Sequence, residues 1–156
     1  MESQAINLDT LARQALVEHQ TLEHVMEALR ITLDWPVPRR DLAAKLSSVR
    51  FMAQSFQRHL ERLMAIEETD GYMLSARDRQ PHLSTRFEEL RAEHDCFRQV
   101  FRQLVPSLEA VTSQDATLFD NLCHELRDLL GQVRDHSQAE TALIQEAFFL
   151  EVGGES

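Results

Sequence analysis

The chain has 156 residues, enough for one domain with a substantial core, and its 43% hydrophobic and 27% charged content is that of an ordinary folded protein. A net charge of −10 excludes the basic face that neutralises nucleic-acid phosphates, and it opposes docking on an anionic membrane. No apolar run approaches the roughly 20 residues of a spanning helix, so neither nucleic acid nor membrane is an expected partner.

The N-terminus, "MESQAINLDT", lacks the basic start and apolar run of a secretion signal, and the expected location is cytoplasmic. From there Leu8, Ala12, Ala15, His19, Leu22, Met26, Leu29 and Leu33 alternate threes and fours, the stripe of an amphipathic helix. Two prolines in "DWPVPRR" (34–40) end it. A second stripe runs through Leu42, Leu46, Val49, Ala53, Phe56, Leu60, Leu63 and Glu67. The stretch "DGYMLSARDRQPH" (70–82), with its glycine and proline, reads as a connection. A third stripe takes Leu83, Phe87, Leu90, His94, Phe97, Phe101, Leu104, Leu108 and Val111, with Thr85 and Glu88 spaced as a capping box. After "AVTSQDAT" (110–117), where Thr112 and Ser113 are candidate N-caps, the last stripe follows. It runs through Leu118, Leu122, Leu126, Leu129, Val133, His136, Glu140, Leu143, Ala147 and Leu150.

Four long helices with short connections predict an all-α, up-down-up-down antiparallel four-helix bundle. Residues 1–150 form the single expected domain, and 151–156, "EVGGES", a short tail that frays. Cys96 and Cys123 form no CxxC pair and read as free, buried thiols, which suits a reducing compartment. Trp35 and Tyr72 fall in connections and are expected to pack over bundle ends.

Each stripe is interrupted by a polar residue of His or Glu type: His19, Glu67, His94, and the pair His136 and Glu140. Any one buried histidine is more often a hydrogen-bonded core residue than a ligand. One interruption per helix is a coincidence that independent chance does not favour. A buried carboxylate must be paired, protonated or bound to a cation, and the four-residue spacing of His136 and Glu140 lets both reach one centre. Mixed imidazole and carboxylate donors suit iron, manganese or zinc. A closed structural zinc site would use cysteines, and neither cysteine is on a stripe. The Glu-x-x-His spacing of ferritin-like bundles is absent, because Leu16, Arg91 and Val133 stand three residues before His19, His94 and His136. His82 and His124 lie off the stripes and read as surface residues, and His24, about a third of a turn off the first stripe, is not an expected ligand.

Four segments, in order, resemble the bacterial hemerythrin-like (HHE cation-binding) family: "VEHQTLEHVMEAL", "LMAIEETDGYM", "PHLSTRFEELRAEHDCF" and "DHSQAETALIQEAF". The resemblance implies two non-haem irons held by His19, Glu67, His94, His136 and Glu140, with Glu67 and Glu140 as bridges. It implies dioxygen or another small ligand as partner, in oxygen binding, oxygen or iron sensing, or stress protection. One departure stands out. Where the family has histidine four residues before the helix-two glutamate, this chain has Leu63. His59, one turn further back, is a candidate substitute only if the site shifts by about 5.4 Å; the other outcomes are a site with one open or water-filled position, a single metal, or a site that has lost function. Catalytic residues are not evident. The rival readings are a metal-poor bundle acting as an interaction module and a di-iron redox enzyme.

Overall fold

A computed structural model describes residues 2–69, 77–78 and 80–148, with side chains from residue 10 onward except Thr69. The expectations for Leu8, Tyr72, Leu150 and the tail lie outside the described residues. Four long helices make up the described chain: α1 (Glu2–Asp34), α2 (Leu42–Thr69), α3 (Ser84–Ala110) and α4 (Ala116–Phe148). Short 3₁₀ turns at Arg39–Asp41 and Pro81–Leu83 lead into α2 and α3. There is no strand among the described residues. α1 packs on α2 and α4, and α3 packs on the same two, so the four helices close a ring around one core. This is the expected all-α four-helix bundle.

The stripes are the core. From Ala12 to Ala147, every stripe residue with a described side chain is buried except Leu42, which is half-buried, and Leu118. Leu118 is 43% exposed, and Phe119 takes the inward place. Going back from Leu122, both three and four residues fall near the seam, and the larger ring fills the end of the core. Met64, Cys123, Leu130, Ile144 and Phe148 widen the seams beyond the stripes. Phe56 on α2 meets Phe101 on α3 edge to face, centroids 5.1 Å apart. Cys123 is buried as expected, but Cys96 is exposed, because its neighbours His94 and Phe97 take the inward positions on α3.

Two helix starts differ from the reading above. The α4 cap is Asp115, not Thr112 or Ser113: its Oδ1 accepts the Leu118 backbone N–H at 3.1 Å. The Thr85–Glu88 box does not form, because the 3₁₀ turn at Pro81–Leu83 runs straight into α3 and places Thr85 inside the helix. The C-terminal carbonyls are capped across helices. Lys45 Nζ donates to the Leu33 and Trp35 carbonyls at 2.8 Å each, and Arg127 also donates to Leu33. Arg50 donates to the carbonyls of Leu108, Glu109 and Val111. These cations satisfy carbonyls that the helix leaves open, and they sit at the negative end of the dipole.

Candidate metal centre

Helix periodicity carries His19, Glu67, His94, His136 and Glu140 inward with the leucines that flank them. All five are buried, and they are the buried polar side chains of the described core. Their ligand atoms converge from four helices into two clusters, His94–His136–Glu140 and His19–Glu67–Glu140. Glu140 belongs to both.

The carboxylates lie between the imidazoles. Glu67 turns Oε1 to His19 Nε2 at 3.3 Å and Oε2 to His94 Nε2 at 3.2 Å. Glu140 places Oε1 4.0 Å from His19 Nε2, and Oε2 3.6 Å from His94 Nε2 and 2.9 Å from His136 Nε2. Each glutamate thus divides its two oxygens between the α1 imidazole and the α3–α4 imidazoles. The His94 and His136 rings stand edge on at 5.1 Å, and Phe97 packs against His136 at the same separation.

The electrostatics reflect two carboxylates in a dry core. Burial, then the Glu140 carboxylate, push the Glu67 carboxyl up to about 7. Burial would raise Glu140 too, but Glu67, His136 and His94 outweigh it and hold Glu140 well below the ordinary carboxylate range. Burial would lower His94, yet Glu140 and Glu67 bring it up to about 10. The same contest, won by Glu67 and Glu140, leaves His19 raised.

The residues fit a cation. His19 Nε2, both Glu67 oxygens, His94 Nε2, His136 Nε2 and Glu140 Oε1 are buried with no hydrogen-bond partner. Among the described residues no lysine or arginine pairs with Glu67 or Glu140. Orphaned buried donors and acceptors are rare in folded proteins and call for an occupant, and nitrogen and oxygen donors in this mixture coordinate first-row metals.

A second layer holds the imidazoles from behind, and stripe reasoning missed it. His19 Nδ1 is 2.8 Å from Ser137 Oγ. His136 Nδ1 is 3.3 Å from Glu93 Oε2. His94 Nδ1 lies 3.7 Å from Glu68 Oε1, an ion-pair distance, and Arg98 grips Glu68 through both oxygens at 2.8 and 2.6 Å. The signal was adjacency: Glu68, Glu93 and Ser137 each sit beside an inner residue in sequence. A step of about 100° along the helix turns each one toward the imidazole on a neighbouring helix.

His59 belongs to neither cluster; it is half-buried, with Nδ1 buried and without a partner. Leu63, between His59 and Glu67 on α2, is 1% exposed and part of the apolar core. His82 and His124 are exposed, as expected, and His24 is exposed as well. A groove of about 410 Å³ between α1 and α4 is lined by His19, Gln20, Arg134, Ser137 and Thr141, among others, and so reaches the α1 side of the cluster. No helix among the described residues is long and apolar enough to cross a membrane.

No curated protein and no solved structure shows significant similarity to the chain. The model of the hemerythrin HHE cation-binding domain matches residues 10–147, which hold all four helices' contributions to the site. With the fold, the convergence of imidazoles and carboxylates, and a match over most of its length, this chain belongs to the hemerythrin HHE cation-binding family.

Proposed function

We propose that this chain is a non-haem iron protein with a paired metal centre, serving to bind or sense dioxygen or a similar small ligand. The observation that carries the pairing is the division of the Glu67 and Glu140 oxygens between two imidazole groups. A lone cation would leave one side of that arrangement unused. His19, Glu67, His94, His136 and Glu140 would hold the metals, and bound iron would supply redox chemistry and affinity for a small ligand.

The chain's own residues prepare that chemistry. Glu67 and Glu140 offset cationic charge in a core where, among the described residues, no other anion is buried. Ser137, Glu93 and Glu68 orient the imidazoles and keep each Nε2 aimed inward. Leu63 and Phe97 keep the surroundings apolar, which limits water and tunes a redox potential. The groove beside His19 leaves a route for a small molecule.

Metal analysis by mass spectrometry, with an absorption spectrum, on protein expressed with added iron tests this reading. About two irons per chain, with a visible spectrum that responds to dioxygen, is the expected result. A second reading, a metal-free interaction module, is favoured by Leu63 alone. It requires no metal in that experiment and a melting temperature indifferent to chelator.

A further inference from the structure

Resting on that reading of a paired cation centre, we infer that its two halves are unequal. The first cation is taken by His94, His136 and Glu140. The second is held more weakly by His19, Glu67 and Glu140.

Three separate observations point the same way. The first is donor count. Glu67 and Glu140 each face both halves, but one half has two imidazoles, His94 and His136, and the other has His19 alone, while Leu63, one turn before Glu67 on α2, is a buried apolar side chain with no donor to offer. Late first-row divalent cations gain from imidazole donors, so the α3–α4 half is the better ligand set.

The second is what stands behind each ring. The His136 imidazole is backed by the Glu93 carboxylate at 3.3 Å, and the His94 imidazole faces Glu68 at 3.7 Å. The Glu93 carboxylate bonded to His136 Nδ1 makes Nε2 a stronger donor and fixes its tautomer, while Glu68 adds only nearby negative charge, since His94 Nδ1 has no hydrogen-bond partner. His19 has only the neutral Ser137 hydroxyl at 2.8 Å. The third is exposure to solvent. The groove of about 410 Å³ is lined by His19 and Ser137 and by neither His94 nor His136. Water that reaches the α1 half competes with the protein for its cation.

Sharing adds to the difference. Glu140 serves both clusters and Glu67 also faces His94, so a second cation meets carboxylates already engaged and a positive charge already in place. The halves therefore fill in order.

The test is an oxygen-free calorimetric titration of the full-length, chelator-stripped chain with cobalt(II), followed in parallel by cobalt visible absorption, and repeated with ferrous ion. Two steps separated at least about tenfold in affinity are expected, the size of effect that ligand and outer-layer changes produce. H19A removes only the weaker step, and H136A removes the tighter one. Because an inner substitution can disturb the core, E93Q and S137A provide gentler probes at partly exposed sites. E93Q weakens the first step about tenfold or more and spares the second, and S137A does the reverse. L63H, which adds a nitrogen donor on α2, tightens the second step. Two steps of equal affinity in the natural chain, or loss of the tighter step in H19A, overturn the inference and leave the cation reading standing. Failure of either cation to bind overturns the paired centre itself, and the inference with it.

Discussion

Glu140 is the residue on which both clusters depend, since its two oxygens face His19 on one side and His94 and His136 on the other. Glu140→Ala is expected to abolish both cation-binding steps while far-ultraviolet circular dichroism stays helical; retained stoichiometric metal in that variant counts against the site. The shifted groups also set a pH dependence. His94 is held protonated up to about 10, His19 is raised, and Glu67 keeps its proton up to about 7. A cation must displace these protons, so apparent affinity rises with pH as Glu67 deprotonates through about 7 and His94 through about 10. Calorimetry in buffers of different ionisation heat measures the protons released; none released at pH 6 would rule this out. In the metal-free chain the sign follows from linkage. A histidine raised in the fold lends stability that is whole below its unfolded value and lost as pH rises through about 10 for His94. Glu67, raised to about 7, likewise lends stability only at lower pH and loses it as pH climbs from its ordinary value. Glu140, lowered, lends stability above its ordinary range and loses it in acid. Metal-free protein is therefore expected to melt at a lower temperature at pH 10 than at pH 6, a difference that thermal scans across that range detect.

Among the elements, α2 combines a glutamate in the cluster with an unbroken apolar face beside it. Leu60, Leu63 and Met64 are each about 1% exposed. Leu63→Ala should cost about 2–5 kcal/mol of folding stability, the usual range for a buried leucine, and leave the His94–His136 half able to bind cobalt. Urea unfolding and the titration above separate the two effects. At the start of α4, Asp115→Ala removes the bond to the Leu118 N–H and should cost about 1 kcal/mol; a loss near zero would show that the helix start is held by packing of Phe119. The helices were legible from spacing alone because threes and fours recur without a proline for most of each segment. The caps were not. Thr112, Ser113 and Asp115 are all plausible cap residues by type, and only the three-dimensional path of the chain selects one. The same holds for Thr85 and Glu88, whose box is pre-empted by the turn at Pro81–Leu83. The cross-helix capping of α1 by Lys45 and Arg127, and of α3 by Arg50, has no local sequence signal, since each cation is remote from the carbonyls it serves.

For the whole molecule, a cation that binds the folded bundle and not the unfolded chain stabilises it by mass action. Chelator is therefore expected to lower the melting temperature of iron-loaded protein, and added iron to restore it. A melt unmoved by chelator would favour a metal-free role. The sequence by itself determined the bundle and the inner five residues, for one physical reason. Helical periodicity forces a stripe residue inward whatever its polarity, so His19, Glu67, His94, His136 and Glu140 had to share the core with the leucines around them. Tertiary structure alone decided how these five are grouped, which carboxylate oxygen faces which ring, and that His59 stays outside while Leu63 is buried in the apolar core. It also decided the outer layer, in which Glu68, Glu93 and Ser137 each support an imidazole on another helix. Those pairings depend on the rotation and register of one helix against the next, and neither is written in the spacing along any single helix.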